Sequence, residues 1–141
     1  SVTSIGDEAF SGCSGLTGSL TIPEGVTAIG RDAFSDCTGL KGSLIIPSSV
    51  KTIGKKAFYG CTGLKDSLLI PSSVTLIDDQ AFSSFSGTVT INATTPPSIE
   101  SYVFDYYKLT AIVVPTESLT AYKNASEWSE YKGLITDKYP K

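Results

Sequence analysis

The chain of 141 residues contains no histidine. The side chain that most often serves as general base and zinc ligand near neutral pH is therefore missing, and the sequence reads as that of a non-enzyme. Positive charge is scarce as well: 11 Lys and Arg stand against 14 Asp and Glu, for a net charge of −3 and an isoelectric point near 4.8. Phosphate binding draws most of its affinity from a surplus of Lys and Arg, so no nucleic-acid partner is expected. No apolar run approaches the roughly 18 to 20 residues of a membrane-spanning helix. The N-terminus also lacks the charged and then apolar order of an export signal, as in a mature or excised segment. Three cysteines are too few, and odd in number, for a disulfide scaffold. What is present, 40% hydrophobic and 18% charged residues, is enough to bury a core.

The hydrophobic residues are periodic. Ala9-Phe10, Ala33-Phe34, Ala57-Phe58 and Ala81-Phe82 recur every 24 residues. In step with them run columns of Ile5, Ile29, Ile53 and Ile77, of Val2, Val26, Val50 and Val74, and of Leu16, Leu40 and Leu64. Cys13, Cys37 and Cys61 form a further column, continued by Phe85. One coil cannot bury its own apolar side, so equivalent positions stack from coil to coil into a continuous interior. A period between 20 and 29 residues with leucine-type positions at fixed offsets is the mark of a leucine-rich repeat solenoid.

Within each repeat, Ser19-Leu20-Thr21-Ile22-Pro23 returns as Ser43 to Pro47 and Ser67 to Pro71. Alternation sends Leu20 and Ile22 inward and Thr21 outward, and the proline, lacking an amide hydrogen, ends the strand. Strands repeated in one direction pair in parallel and line one face. The other side carries short helical turns and irregular segments: Ala33, Phe34 and Cys37 are spaced for about one helical turn. Gly6, Gly30 and Gly54, with Asp78 in register, are expected to mark a left-handed bend.

After Phe85 the strict period breaks, yet Thr88 to Ile91 and Ala111 to Pro115 still read as strands. Val103-Phe104 takes the Ala-Phe role and Tyr107 the cysteine place. The expected organisation is a solenoid over 1–115, made of a partial coil 1–18, coils 19–42, 43–66, 67–87 and 88–110, and a last strand 111–115. A largely helical C-terminal cap over 116–141 follows, with Tyr122, Trp128 and Tyr131 among its large apolar groups. Because residue 1 falls partway through a coil, the segment reads as the C-terminal part of a longer repeat protein.

The run L-T-G-S-L-T-I-P, followed by V-T-x-I-G-x-x-A-F-x-x-C, resembles the BspA-like class of leucine-rich repeats, found in bacterial surface proteins. The tail, A-T-T-P-P-S and then I-V-V-P-T-E-S-L-T-A-Y-K-N-A-S-E-W, is similar to the cap common in that class. The resemblance implies an extracellular or cell-surface module for binding or adhesion, with a protein or glycan ligand such as one of a host matrix or cell surface. It supplies no catalytic residues and no cofactor.

Ligand-contact candidates come from the outward positions. Thr21, Ile45, Leu69, Thr90 and Val113 are expected to form one row across five strands, flanked by Ser19, Ser43, Ser67, Thr88 and Ala111. Tyr59, Tyr102 and Tyr106 also fall outward, and tyrosine is a favoured contact residue. Arg31, Lys41, Lys51, Lys55, Lys56 and Lys65 concentrate positive charge on the middle coils, either as a ridge for a sulfated glycan or as solvated edges. The cysteines read as reduced, buried ladder residues rather than zinc ligands, since structural zinc takes four. Asp78-Asp79 reads as a solvated turn. The competing functional reading is a spacer that holds another domain away from the cell and has no ligand of its own.

Overall fold

The computed structural model describes residues 2–140. Among the described residues, ten strands fall into two parallel five-stranded sheets, one on each side of the coil stack. On the return side lie β1 (Ser4–Ile5), β2 (Ala28–Ile29), β4 (Thr52–Ile53), β6 (Leu76–Ile77) and β8 (Ser98–Ile99), in that order. Ile5, Ile29, Ile53, Ile77 and Ile99 stand opposite one another in this ladder. The main sheet runs β3 (Gly42–Ile45), β5 (Leu64–Ile70), β7 (Ser86–Ile91), β9 (Leu109–Val113) and β10 (Ile135–Thr136).

The core is the stack of columns seen in the sequence. Phe10, Phe34, Phe58, Phe82 and Phe104 form a file of parallel rings with centroids 5.2 to 6.0 Å apart. That is the offset-stacked range of aromatic pairs, set here by the roughly 4.8 Å spacing of parallel strands. Phe10 has a neighbour on one side only and stays 41% exposed. For the same reason Cys13 is half-buried, whereas Cys37 and Cys61 are buried as expected. All three thiols are free.

Several local expectations are corrected. The segment 19–22 is not a strand: Lys41 N donates to Gly18 O at 2.9 Å, and after that single bridge the segment parts from β3. A gap of about 450 Å³ lined by Thr21, Ile22, Ser43 and Ile45 lies between them. The fifth strand of the sheet comes instead from the C-terminal segment, where Thr136 stands beside Val113. The Ala-Phe segment closes through successive i to i+3 turns, as Ala33 N to Gly30 O and Cys37 N to Phe34 O, each near 3.2 Å. Left-handed residues interrupt these turns, so no continuous helix forms.

Those left-handed residues are not the predicted glycines. The positive φ falls two positions later, at Glu8, Asp32, Lys56 and Gln80. At Gly30 and Gly54 the coils approach closely: a Cβ on Gly30 would sit 2.7 Å from Asp7 N, and one on Gly54 2.7 Å from Arg31 N. Real side chains do not tolerate such contacts with a neighbouring backbone. In the next coil, by contrast, Asp78 is accommodated at the equivalent place with the same bond to the coil before, Asp78 N to Ile53 O at 2.9 Å.

The C-terminal segment closes the far end. A short helix α1 (Leu119–Asn124) and a 3-10 helix (Ser126–Leu134) bring Tyr122, Trp128 and Tyr131 over the last coil, all fully buried. Each polar tip finds a backbone partner: Tyr122 Oη donates to Ala93 O at 2.8 Å and Trp128 Nε1 to Pro97 O at 3.1 Å. Phe104 N donates to the Tyr131 hydroxyl at 3.1 Å, and that hydroxyl donates to Phe104 O at 2.9 Å. A buried Tyr or Trp contributes its large apolar area only when its polar atom is satisfied in this way.

Candidate binding site

The outward row of the main sheet exists, but its exposure is uneven. Ile45, Leu69, Thr90 and Val113 are direct partners from strand to strand, and the row continues into Thr136. Ile45 lies on the free edge strand β3 and is 64% exposed, whereas Leu69, Thr90 and Val113, flanked on both sides, are half-buried. Thr21 is exposed but belongs to the parted segment, outside the sheet. In the flanking row Ser19 and Ser43 are exposed and Ser67 is half-buried, but Thr88 and Ala111 are buried. Both sit in strands with neighbours on either side, just after a register shift between Gly87 and Thr88. The outward row is therefore narrower than alternation predicts.

The basic residues do not form one ridge. Arg31 and Lys55 stack at the turn, Lys41 and Lys65 stand before and at the start of the main-sheet strands, and Lys51 precedes the return strand β4. They are distributed around the coil. Arg31 is further engaged by Glu8 at 3.5 Å and Asp32 at 3.4 Å, and Lys56 Nζ lies 5.3 Å from the Tyr59 ring centre. Such exposed pairs contribute little to stability but reduce the free positive field.

The tyrosines do converge. Tyr59, Tyr102 and Tyr106 line one open groove of about 470 Å³ between the last coils and the C-terminal segment, joined by Tyr107, Asp105 and Glu130. Tyr102 is 68% exposed and Tyr107 93% exposed. Tyr107 does not take the buried cysteine place: after Phe104 the chain enters a 3-10 helix (Tyr106–Lys108), which swings it into solvent. The sequence signal for this was the pair Tyr106-Tyr107 directly after Asp105, a residue suited to capping a turn.

The groove is held by internal bonds. Tyr107 N donates to Asp105 Oδ1 at 3.0 Å, which caps the 3-10 helix and leaves the second carboxylate oxygen free of that bond. The Tyr106 and Tyr107 rings meet edge to face, centroids 5.5 Å apart and planes at 74°. The Tyr106 hydroxyl lies against Gly133, where a Cβ would come within 2.9 Å of it. Beneath, burial pushes the Tyr131 phenol up to about 12, so this hydroxyl stays protonated and keeps its bond to Phe104 O. Burial likewise raises the thiols of Cys37 and Cys61, the latter to about 12, so neither is a nucleophile at neutral pH.

No cluster of three or more His, Cys, Asp or Glu able to hold a metal ion occurs among the described residues. No helix among them is long and apolar enough to cross a membrane.

Parallel sheets on two sides of a 24-residue coil, with stacked apolar columns inside, define a leucine-rich repeat solenoid, a class of interaction scaffold that is in general not catalytic. The family model for the BspA type leucine rich repeat region matches residues 3–130 in six copies. The chain belongs to that family. No curated protein matches it.

Proposed function

We propose that this chain is a binding module of a secreted or cell-surface protein, and that the tyrosine groove is its main contact surface. The observation that carries this is the gathering of Tyr59, Tyr102, Tyr106 and Tyr107 on one groove, with Tyr102 and Tyr107 largely open to solvent. Large, rigid aromatic groups with a polar tip provide contact area at low entropic cost, and burying several of them is a common way to build a contact hot spot. The adhesion role and the surface location rest on the family resemblance.

The outward row with Ile45 at its edge is a second contact surface, favoured by an exposed apolar side chain where a purely solvated strand carries a polar one.

The test is a glycan and matrix-protein array probed with the protein and with its Tyr102→Asn/Tyr107→Ser variant. A specific ligand lost in the variant is the expected result. No ligand at all on a broad array would replace this reading with that of a spacer.

A further inference from the structure

The groove chemistry points beyond binding in general to a class of ligand. We propose that it takes a neutral oligosaccharide, an inference that rests on the groove being the contact surface.

Ring geometry is the first reason. Tyr106 and Tyr107 meet edge to face at 74°, so two aromatic rings of different orientation line the same groove. The face of an aromatic ring is electronegative and its edge electropositive. The axial C–H groups on one side of a pyranose carry partial positive charge and stack on such a face, while its hydroxyls radiate around the rim. Two rings of different orientation fit a compact saccharide unit better than they fit a flat extended strand.

Polar groups at the rim are the second reason. Asp105 retains a carboxylate oxygen beyond its bond to Tyr107 N, and Glu130 adds a second carboxylate. Ionised carboxylates are pure acceptors and suit the clustered hydroxyl donors of a sugar. Ser84 Oγ accepts from Gly60 N at 2.9 Å, which leaves its own hydrogen to donate to a sugar oxygen.

Charge is the third. Two carboxylates face a single Lys108 in the groove, and Lys56 lies beside Tyr59 rather than in the lining. With two carboxylates balanced by Lys108 and the nearby Lys56, the groove carries no surplus of either sign, which suits an uncharged ligand better than a sulfated or uronic chain. A peptide gains less here, because Tyr107 N, on the groove lining, is already bonded to Asp105.

The experiment is a titration of the intact protein with neutral tetrasaccharides, β-1,4-linked glucose, α-1,4-linked glucose and β-1,4-linked N-acetylglucosamine, followed through the tyrosine ring signals by NMR. A saturable shift of the Tyr102, Tyr106 and Tyr107 rings with at least one of them is expected, weakened tenfold or more in Tyr102→Asn/Tyr107→Ser. Both sites are exposed, and Asn accepts the left-handed backbone of Tyr102 (φ 57°), so the thermal midpoint should not move. Equal affinity in wild type and variant overturns the assignment, as does tighter binding of heparin than of every neutral probe. If a matrix protein moves these rings and no sugar does, the saccharide assignment falls and the binding groove stands. If neither moves them, both fall.

Discussion

Cys61 Sγ lies 2.9 Å from the carbonyl oxygen of Phe34, one coil back, and donates to it; Cys37 repeats the contact with Phe10 O at 3.1 Å. In the thiol column Cys37 and Cys61 are thus tied by side chain to backbone bonds, and these two residues are donors rather than nucleophiles. Native protein is expected to release one thiol to a small labelling reagent, that of the half-buried Cys13, and all three once denatured. Rapid native labelling of Cys61 would contradict the ladder.

The same burial sets a pH dependence. Cys61 is raised from 9.0 to about 12 and Tyr131 from 10.0 to about 12, both by desolvation. Between those values the unfolded chain has lost protons that the folded chain keeps, so stability falls as pH rises through this window, by up to about 1.4 kcal/mol per pH unit for each group. Denaturant midpoints should hold below pH 9 and decline steadily from there to pH 12. A flat profile would show that these groups titrate normally.

Gly54→Ala should destabilise the fold by about 1 to 3 kcal/mol, because the new Cβ meets Arg31 N and Gly30 C at 2.7 Å and neither backbone can withdraw without opening the stack. Gly6→Ala, at the equivalent place with nothing within 4 Å, should change stability by less than about 0.5 kcal/mol. Urea denaturation of the two variants decides it; equal effects would mean that conformation rather than close packing selects glycine.

Tyr131→Phe should cost about 2 to 3 kcal/mol although it removes one atom. Phe104 N and Phe104 O both lose their partner in a buried site, and an unsatisfied buried group costs about 1 to 3 kcal/mol. Loss below about 0.5 kcal/mol would place water at those groups.

Ile45→Asp tests the strand register. The side chain is 64% exposed, and its neighbours Leu44 and Ile46 are buried, so the variant should lose less than about 1 kcal/mol. Leu44→Asp, by contrast, should not fold, because it places an unpaired charge in the core. Comparable stability of the two by circular dichroism melting would reverse the register.

Coil length, the inward columns and the identity of the repeat were all legible in the residue order, because each follows from one rule: equivalent residues of successive coils must bury one another. Phe34, Phe58 and Phe82 are in the core by translation alone. Tertiary structure decided what translation does not reach. The role of Gly30 depends on the approach of Asp7 across the coil gap, a distance that no local propensity encodes. Thr88 and Ala111 are buried by strands on both sides, Ile45 is exposed at an edge, and the sheet finds its fifth strand in Ile135–Thr136 rather than at 19–22. The groove follows the same logic. Tyr59 and Tyr102 were legible as outward, but their meeting with Tyr107 and Glu130 needed the 3-10 turn after Phe104 and the folding of the C-terminal segment over the last coil, contacts that join residues as far apart as 59 and 130.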